Sequence, residues 1–428
     1  MKTKLTLCLI ALILASCGGA PSDPVTLDEM GERFVKLGLE LGEYDPNYID
    51  SYVGPEEWQQ AAKENLRPRE ELAAEITALF ADIEAFTPTD DEAGLRHKAM
   101  LGRVRAMDAR MRMANGETFS FADEAKLLYD VELPTYDFAE FDRALEEIAE
   151  LVPGEGDLAE RVNAFQADVA IPEDKLDIVF NRAIEECRRR TSEYITLPAS
   201  ERFQLEYVTG VSWSGYLEYL GNNESLMSIN LDTPLNTDRA VDLGCHEGYP
   251  GHHVYNLLVD QRYLQGKGWN EFQLAPLYTP AMLVHEGSAE YGVSLAFPGD
   301  ESWEFQRDVL VPLAGVDLEK AAALNKLLKL KAGLADHATA ATAQLYLEGK
   351  ISREEAIEQR RKYGLSSRKR AERSVRFIEE FRTYVLNYSI GEDLVSAYVE
   401  KDADDHAGRW EAFKRLIEEL PSASEMTN

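Results

Sequence analysis

Between Thr26 and about Arg190 apolar residues recur three and four positions apart, as in ELAAEITALFADIEAF at 71–86 and AEFDRALEEIAELV at 139–152. Only a helix gathers such positions onto one stripe, and a stripe of that kind has to be buried against a neighbour. Turn chemistry cuts the pattern at Asp45-Pro46-Asn47, Gly54-Pro55, Pro88-Thr89-Asp90 and Pro153-Gly154-Glu155-Gly156, often followed by an N-capping residue and early glutamates. Residues 26–200 are therefore predicted to form a scaffold of long helices joined by short loops. From Glu201 to Leu231 the texture changes. FQLEYV, SGYLEYL and SLMSINL carry β-branched and aromatic residues around a Gly221-Asn222-Asn223 turn, which predicts a small hairpin or sheet. Helical spacing returns from Pro234 and runs to a polar tail, through a basic stretch at 361–377 expected to be a solvated helix face.

The first residues are of a different kind. Lys2 and Lys4 precede an apolar run from Leu5 to Leu14, too short to span a bilayer permanently, and Ala15-Ser16 lead into Cys17. This predicts a lipoprotein signal over 1–16, acylation of Cys17 and a tether over 17–25, with an ordinary cleaved signal as the alternative. Lipid chains hold a domain at a membrane by burying methylenes, so the expected place is the cell envelope. Gly18 after the cysteine favours the periplasmic face of an outer membrane. The net charge of −32 sets the surface against nucleic acid. Cleavage would leave Cys187 and Cys245 in the folded part. Export permits a disulfide between them, and two buried thiols are the alternative. Oligomeric state is not legible.

Three of the seven histidines fall within His246-Glu247-Gly248-Tyr249-Pro250-Gly251-His252-His253, and a fourth, His285, precedes Glu286. Imidazoles and carboxylates together are the usual zinc ligand set, and a glutamate beside the first histidine is where a zinc hydrolase keeps its general base. In the common His-Glu-x-x-His arrangement, residues four apart meet one ion from a single helix face. Here the fourth position is Pro250. On an unbroken helix His252 would point away, and His253 would lie on the same side about 10 Å further along. Proline cannot donate the helical bond to His246, and Gly251 can adopt angles closed to other residues, so a kink or bulge is expected. Such a bulge can absorb two residues and return the later histidine to the metal. A third ligand is expected on AMLVHEGSAEYGVSLAF at 281–297, where Glu286 and Glu290 share a face among apolar neighbours. Glu286 is the predicted ligand, with Glu290 behind it.

HEGYPGHHVYNLL followed by HEGSAEYG resembles the bacterial family known as "domain of unknown function 885". Its members show His-Glu-x-x-Pro-Gly-His-His and a later Glu-Gly-x-Ala-x-Tyr motif. That family is similar to the gluzincin metallopeptidases, whose helical clefts bind zinc through two histidines and a downstream glutamate. The resemblance implies one zinc ion on His246, His252 and Glu286, with Glu247 as general base and His253 turned to substrate or to a neighbouring carboxylate. Ser288 stands where the family has tryptophan. The resemblance covers about half the chain, from Glu201 onward. It further implies a substrate-pairing edge strand, assigned to Ser228-Ile229-Asn230. FRTYVLNYSIGE at 381–392 resembles the family's late Tyr-x-x-Gly segment and brings in Arg382, Tyr384 and Tyr388, a phenol being suited to stabilise an oxyanion. His285 is expected near the ligands or the substrate, whereas His97 and His337 have no companion motif and are expected to be structural.

These readings combine into an all-α fold with long helices around a deep metal-containing cleft and a small sheet before the metal segment. Residues 201–428 would carry the site and share a core with 26–200. The expected activity is zinc-dependent hydrolysis of peptides. Its rivals are hydrolysis of another envelope amide or ester, and a non-catalytic lipoprotein that uses the ion or cleft for binding.

Overall fold

The computed structural model describes residues 25–332, 334–401 and 403–427. The signal, Cys17 and nearly all of the expected tether lie outside the described residues. No helix among the described residues is long and apolar enough to cross a membrane.

Among the described residues the fold is mostly α-helical with five short strands. The helices begin where capping chemistry lets them. Thr26 and Glu29 form a reciprocal capping box on Leu27–Tyr44, Asp90 caps Asp91–Ala114, and Asn236 caps Thr237–Leu243. Pro280 follows the Thr279 cap at the start of Pro280–Ala296, where its missing N–H goes unneeded.

Strand β1 (Ile49–Tyr52) belongs to an antiparallel pair whose partner lies far along the chain. Then come β2 (Arg202–Val208), β3 (Gly215–Gly221) and β4 (Glu224–Asn230), and last β5 (Leu274–Pro276), the partner of β1. The expected hairpin is β3–β4. Asn222 and Asn223 both take positive φ, 53° and 65°, as a tight two-residue turn requires. Strand β2 pairs in parallel with the other side of β4, giving the order β2-β4-β3. Strand β4 is thus central, and the assignment of Ser228-Ile229-Asn230 to an edge strand is corrected: both its ladders are occupied. The sheet edges are β2 and β3.

One apolar cluster runs from Leu27 to Met426 and joins helices from both halves of the chain. A second, around Ile148, Val162 and Leu327, ties residues 138–169 to 318–365. Helices Pro280–Ala296 and Leu386–Glu400 pack closely, placing the Glu286 motif against the late tyrosines.

Candidate metal centre

Helix Thr237–Leu243 runs into a wider π-turn, Gly244–Gly248, that carries His246 and Glu247. The chain bulges at Tyr249 and Pro250 and resumes as helix His252–Val259. Across the bulge the Gly251 amide donates to the Cys245 carbonyl at 3.0 Å, a span of six residues where a regular turn spans four. A Cβ on Gly251 would lie 1.7 Å from the His246 carbonyl oxygen, so only glycine closes this loop. Cys245 is bonded to Cys187 of helix Leu176–Thr191, with Cα atoms 5.4 Å apart, and this anchors the residue before His246.

The bulge brings His246 and His252 together, ring centroids 4.7 Å apart and nearly perpendicular. Nε2 of His246 lies 3.6 Å and Nε2 of His252 3.5 Å from the same oxygen, Oε2 of Glu286. Glu247 converges with the two histidines, one potential ligand atom from each lying within 4.8 Å of the others. On the far side of His246, its Nδ1 lies 3.5 Å from Glu290 Oε1, an arrangement that orients a ligating imidazole. Tyr384 donates its hydroxyl to Oε1 of Glu286.

These side chains are buried, and burial shapes their ionisation. It pushes the Glu247 carboxyl up to about 7 and the His246 imidazole well below its ordinary value. At Glu286 burial opposes the charge, but the neighbouring His252 outweighs it and holds the carboxyl below its usual range.

Glu286 Oε2 tests whether a cation suits this place. It is buried with no hydrogen-bond partner, and an unsatisfied carboxylate oxygen costs on the order of 1–3 kcal/mol. Two imidazole nitrogens converge on that oxygen, the donor set of a catalytic zinc. The residues fit the metal.

The remaining expected residues divide. His253 is one position from His252 and so points about 100° away on the helix. It is fully buried between Phe203 and Tyr249, its Nδ1 2.8 Å from Ser225 Oγ and its Nε2 3.8 Å from Glu201. Of the two neighbours expected for it, substrate or a carboxylate, the carboxylate of Glu201 is the one beside it. His285 stacks face to face on His252 at 3.9 Å. Asn230 is turned inward. Its Nδ2 donates to the Val211 and Trp213 carbonyls, at 3.3 and 2.8 Å, and its Oδ1 accepts from the Asp232 amide, so its side chain is engaged within the chain. Arg382 is likewise spent, its guanidinium 2.7–2.8 Å from buried Glu124. Tyr388 lies 5.8 Å from the Tyr384 ring, with Glu286, Glu247 and Glu290 close enough to raise its pKa beyond what burial does.

Two contributors escaped the sequence. Asp50 of β1 is pushed up to about 7 by loss of solvent, with His252, Glu286 and the Tyr216 hydroxyl acting on it. Nothing in the first half of the chain marked it. Arg239 bonds Ser214 Oγ at 2.5 Å and Asp242, and its charge bears on Glu290 and Glu247. Its place two helical turns before His246 was the available signal.

Neither a protein-family model nor a curated protein matches the chain. Among solved structures it is similar to a protein described as a lipoprotein from Colwellia psychrerythraea, at 15% identity and TM-score 0.52, covering 92% of this chain and 76% of that one. It is also similar to a protein designated BsuCP, at 13% identity, TM-score 0.45 and coverage of 92% and 87%. A third, described as a lipoprotein of unknown function from Shewanella oneidensis, gives 11% identity, TM-score 0.46 and coverage of 92% and 88%. The first of these likenesses is one of fold.

Proposed function

We propose that this chain is a zinc-dependent peptidase held to the cell envelope by lipid on Cys17. The observation that carries the reading is the convergence of His246 Nε2 and His252 Nε2 on the unpartnered Oε2 of Glu286, with the Glu247 carboxyl alongside. The resemblance to "domain of unknown function 885" supports the same ligand set. The lipoprotein signal, together with a structural neighbour described as a lipoprotein, supports the anchor.

When bound, zinc supplies Lewis acidity at a scissile carbonyl and acidifies water. His246, His252 and Glu286 would hold it, with Glu290 orienting His246 and Tyr384 fixing Glu286. Glu247 takes a proton from the attacking water and passes it to the departing amine. Burial places its pKa near neutrality, where a group can both accept and return a proton. Tyr388 donates its phenol to the oxyanion. The substrate lies in a cleft along β3, whose open edge supplies backbone pairing. A Cβ on Gly215 at the start of that strand would be 2.8 Å from Glu247 Oε1, so the edge reaches the base.

Metal analysis of the purified protein, followed by digestion of a peptide library, tests this. About one zinc per chain is expected, and Glu247→Gln is expected to keep the metal and lose roughly 10²–10⁴-fold in turnover. Absence of zinc, or full turnover in the variant, would refute it.

A further inference from the structure

His285 does more than stack on His252. It also lines a cavity of about 70 Å³ walled by β1, β5, the helix His252–Val259 and the start of Pro280–Ala296. At 10–15 Å³ per ordered water, that space holds several waters or a short polar group. Four buried atoms of its lining residues have no hydrogen-bond partner among the described residues: Arg103 Nη1, Asp260 Oδ1, Gln273 Oε1 and His285 Nδ1.

Arg103 is the anomaly among them. It projects from helix Asp91–Ala114, is 6% exposed, and lays its guanidinium on the Phe272 ring at 4.2 Å. The acidic group that bears on it most strongly, Glu271, is held by Arg96 through bonds of 2.7 and 2.9 Å. Buried guanidinium groups are ordinarily matched by a carboxylate, because desolvation of an unmatched charge costs several kcal/mol. With 77 acidic residues against 45 basic ones, a buried arginine without an acidic partner is the unexpected case in this chain. Asp260 shows the complementary need: Oδ2 accepts from Tyr219 at 2.5 Å and from Gln265 at 3.1 Å, whereas Oδ1 accepts nothing.

We propose that this cavity is a substrate subsite in which Arg103 binds a carboxylate of the peptide, while Asp260 and Gln273 accept its N–H groups. The proposal rests on the peptidase reading and names its substrate class, peptides carrying a carboxylate near the scissile bond. His285 and Asp50 line the cavity and also neighbour the ligand His252, so an occupant sits beside the chemistry. The carboxylate has two sources, a chain terminus or an acidic side chain, and guanidinium recognises both alike.

Four acetylated tripeptides separate these sources: Ala-Ala-Glu and Ala-Ala-Gln, each as free acid and as C-terminal amide. Titrated calorimetrically into the Glu247→Gln protein, the probe lacking both carboxylates should bind at least about tenfold more weakly than the best binder. Whichever single-carboxylate probe keeps the affinity identifies the source. Adding Arg103→Met should level the four affinities while holding or raising the melting temperature, because it removes an unpaired buried charge. Equal affinities for all four probes, no binding of any, or discrimination that persists in Arg103→Met overturns the subsite. The comparison of the four probes on Glu247→Gln alone stands even if the Arg103→Met protein misfolds. Binding is read without turnover, so carboxylate discrimination in Glu247→Gln, together with an unmutated protein that cleaves nothing, upholds the subsite and refutes the peptidase. Cleavage indifferent to carboxylates does the reverse.

Discussion

Gly287 and Gly391 meet across two helices so closely that a Cβ on Gly287 would lie 2.3 Å from the Gly391 carbonyl oxygen and 2.9 Å from its Cα. Glu286 precedes the first glycine, and Tyr384, which holds Glu286, lies two turns before the second. Backbone contact between these helices therefore sets how far the phenol stands from the carboxylate.

Replacing Gly287 by Ala sets two effects against each other. Helix propensity alone predicts a gain of up to about 1 kcal/mol. The clash is with backbone, which cannot swing aside, and overpacking of this kind costs about 1–3 kcal/mol. The expected outcome of thermal unfolding is a net loss, accompanied by weaker zinc binding as Glu286 is displaced. A more stable variant with full metal content would show that the helices separate freely.

The adjacent histidines should part company. His252→Ala is expected to lose stoichiometric zinc, with little change in the unfolding midpoint when both proteins are compared metal-free. His253→Ala should keep zinc and lose about 1–3 kcal/mol, from a cavity and an unpaired Ser225 hydroxyl. Metal analysis beside urea unfolding distinguishes them, and a reversed pattern would put the wrong histidine at the metal.

The Cys187–Cys245 bond closes a loop of 58 residues, for which chain entropy predicts a contribution of about 4 kcal/mol. Cys187→Ser should lower stability by 2–4 kcal/mol on the usual scale and, because Cys245 neighbours His246, should weaken zinc retention as well. Competition with a chelator measures the second effect. Unchanged retention would mean that the helix holds His246 without the bond.

Glu201 supports the bulge from below. Burial opposes its charge, but the nearby His253 and hydrogen bonds from Arg188 and Tyr249 outweigh burial and hold its carboxyl well below the usual range. A pKa depressed by folding contributes stability in full above the unfolded value, about 4.3, and loses it as pH falls toward the folded one. Glu201→Gln should therefore be less stable than wild type by roughly 3 kcal/mol at pH 7, the gap narrowing below pH ~4.3. Urea midpoints at a series of pH values check this, and a gap constant down to pH 3 would contradict it.

What could be read in advance followed from local chemistry. Helical spacing marked the scaffold, Asn222-Asn223 marked the hairpin, and proline inside a histidine cluster marked the bulge. What could not be read depended on distant partners. Sequence alone makes Ser228-Ile229-Asn230 of β4 an edge, because nothing local announces that β2 returns in parallel beside it. Arg382 looked available because its partner Glu124 lies 258 residues away. Asp50 and Arg103 sit in stretches whose pattern speaks only of helix and turn, and become notable once the fold shows what each faces.

If Tyr249 and Pro250 were lifted out of the bulge, the chain would read His246-Glu247-Gly248-Gly251-His252, the ordinary spacing of a zinc helix. The two residues are a bubble in an otherwise regular turn, and the Gly251 amide seals its base on Cys245. A bubble of this kind separates aim from attachment. Helical geometry on either side aims the two imidazoles, while Tyr249, pushed out and buried, fastens the turn to Glu201. The spacing of the two proposed ligands thus depends on a residue outside the motif, through the hold of Tyr249 on Glu201.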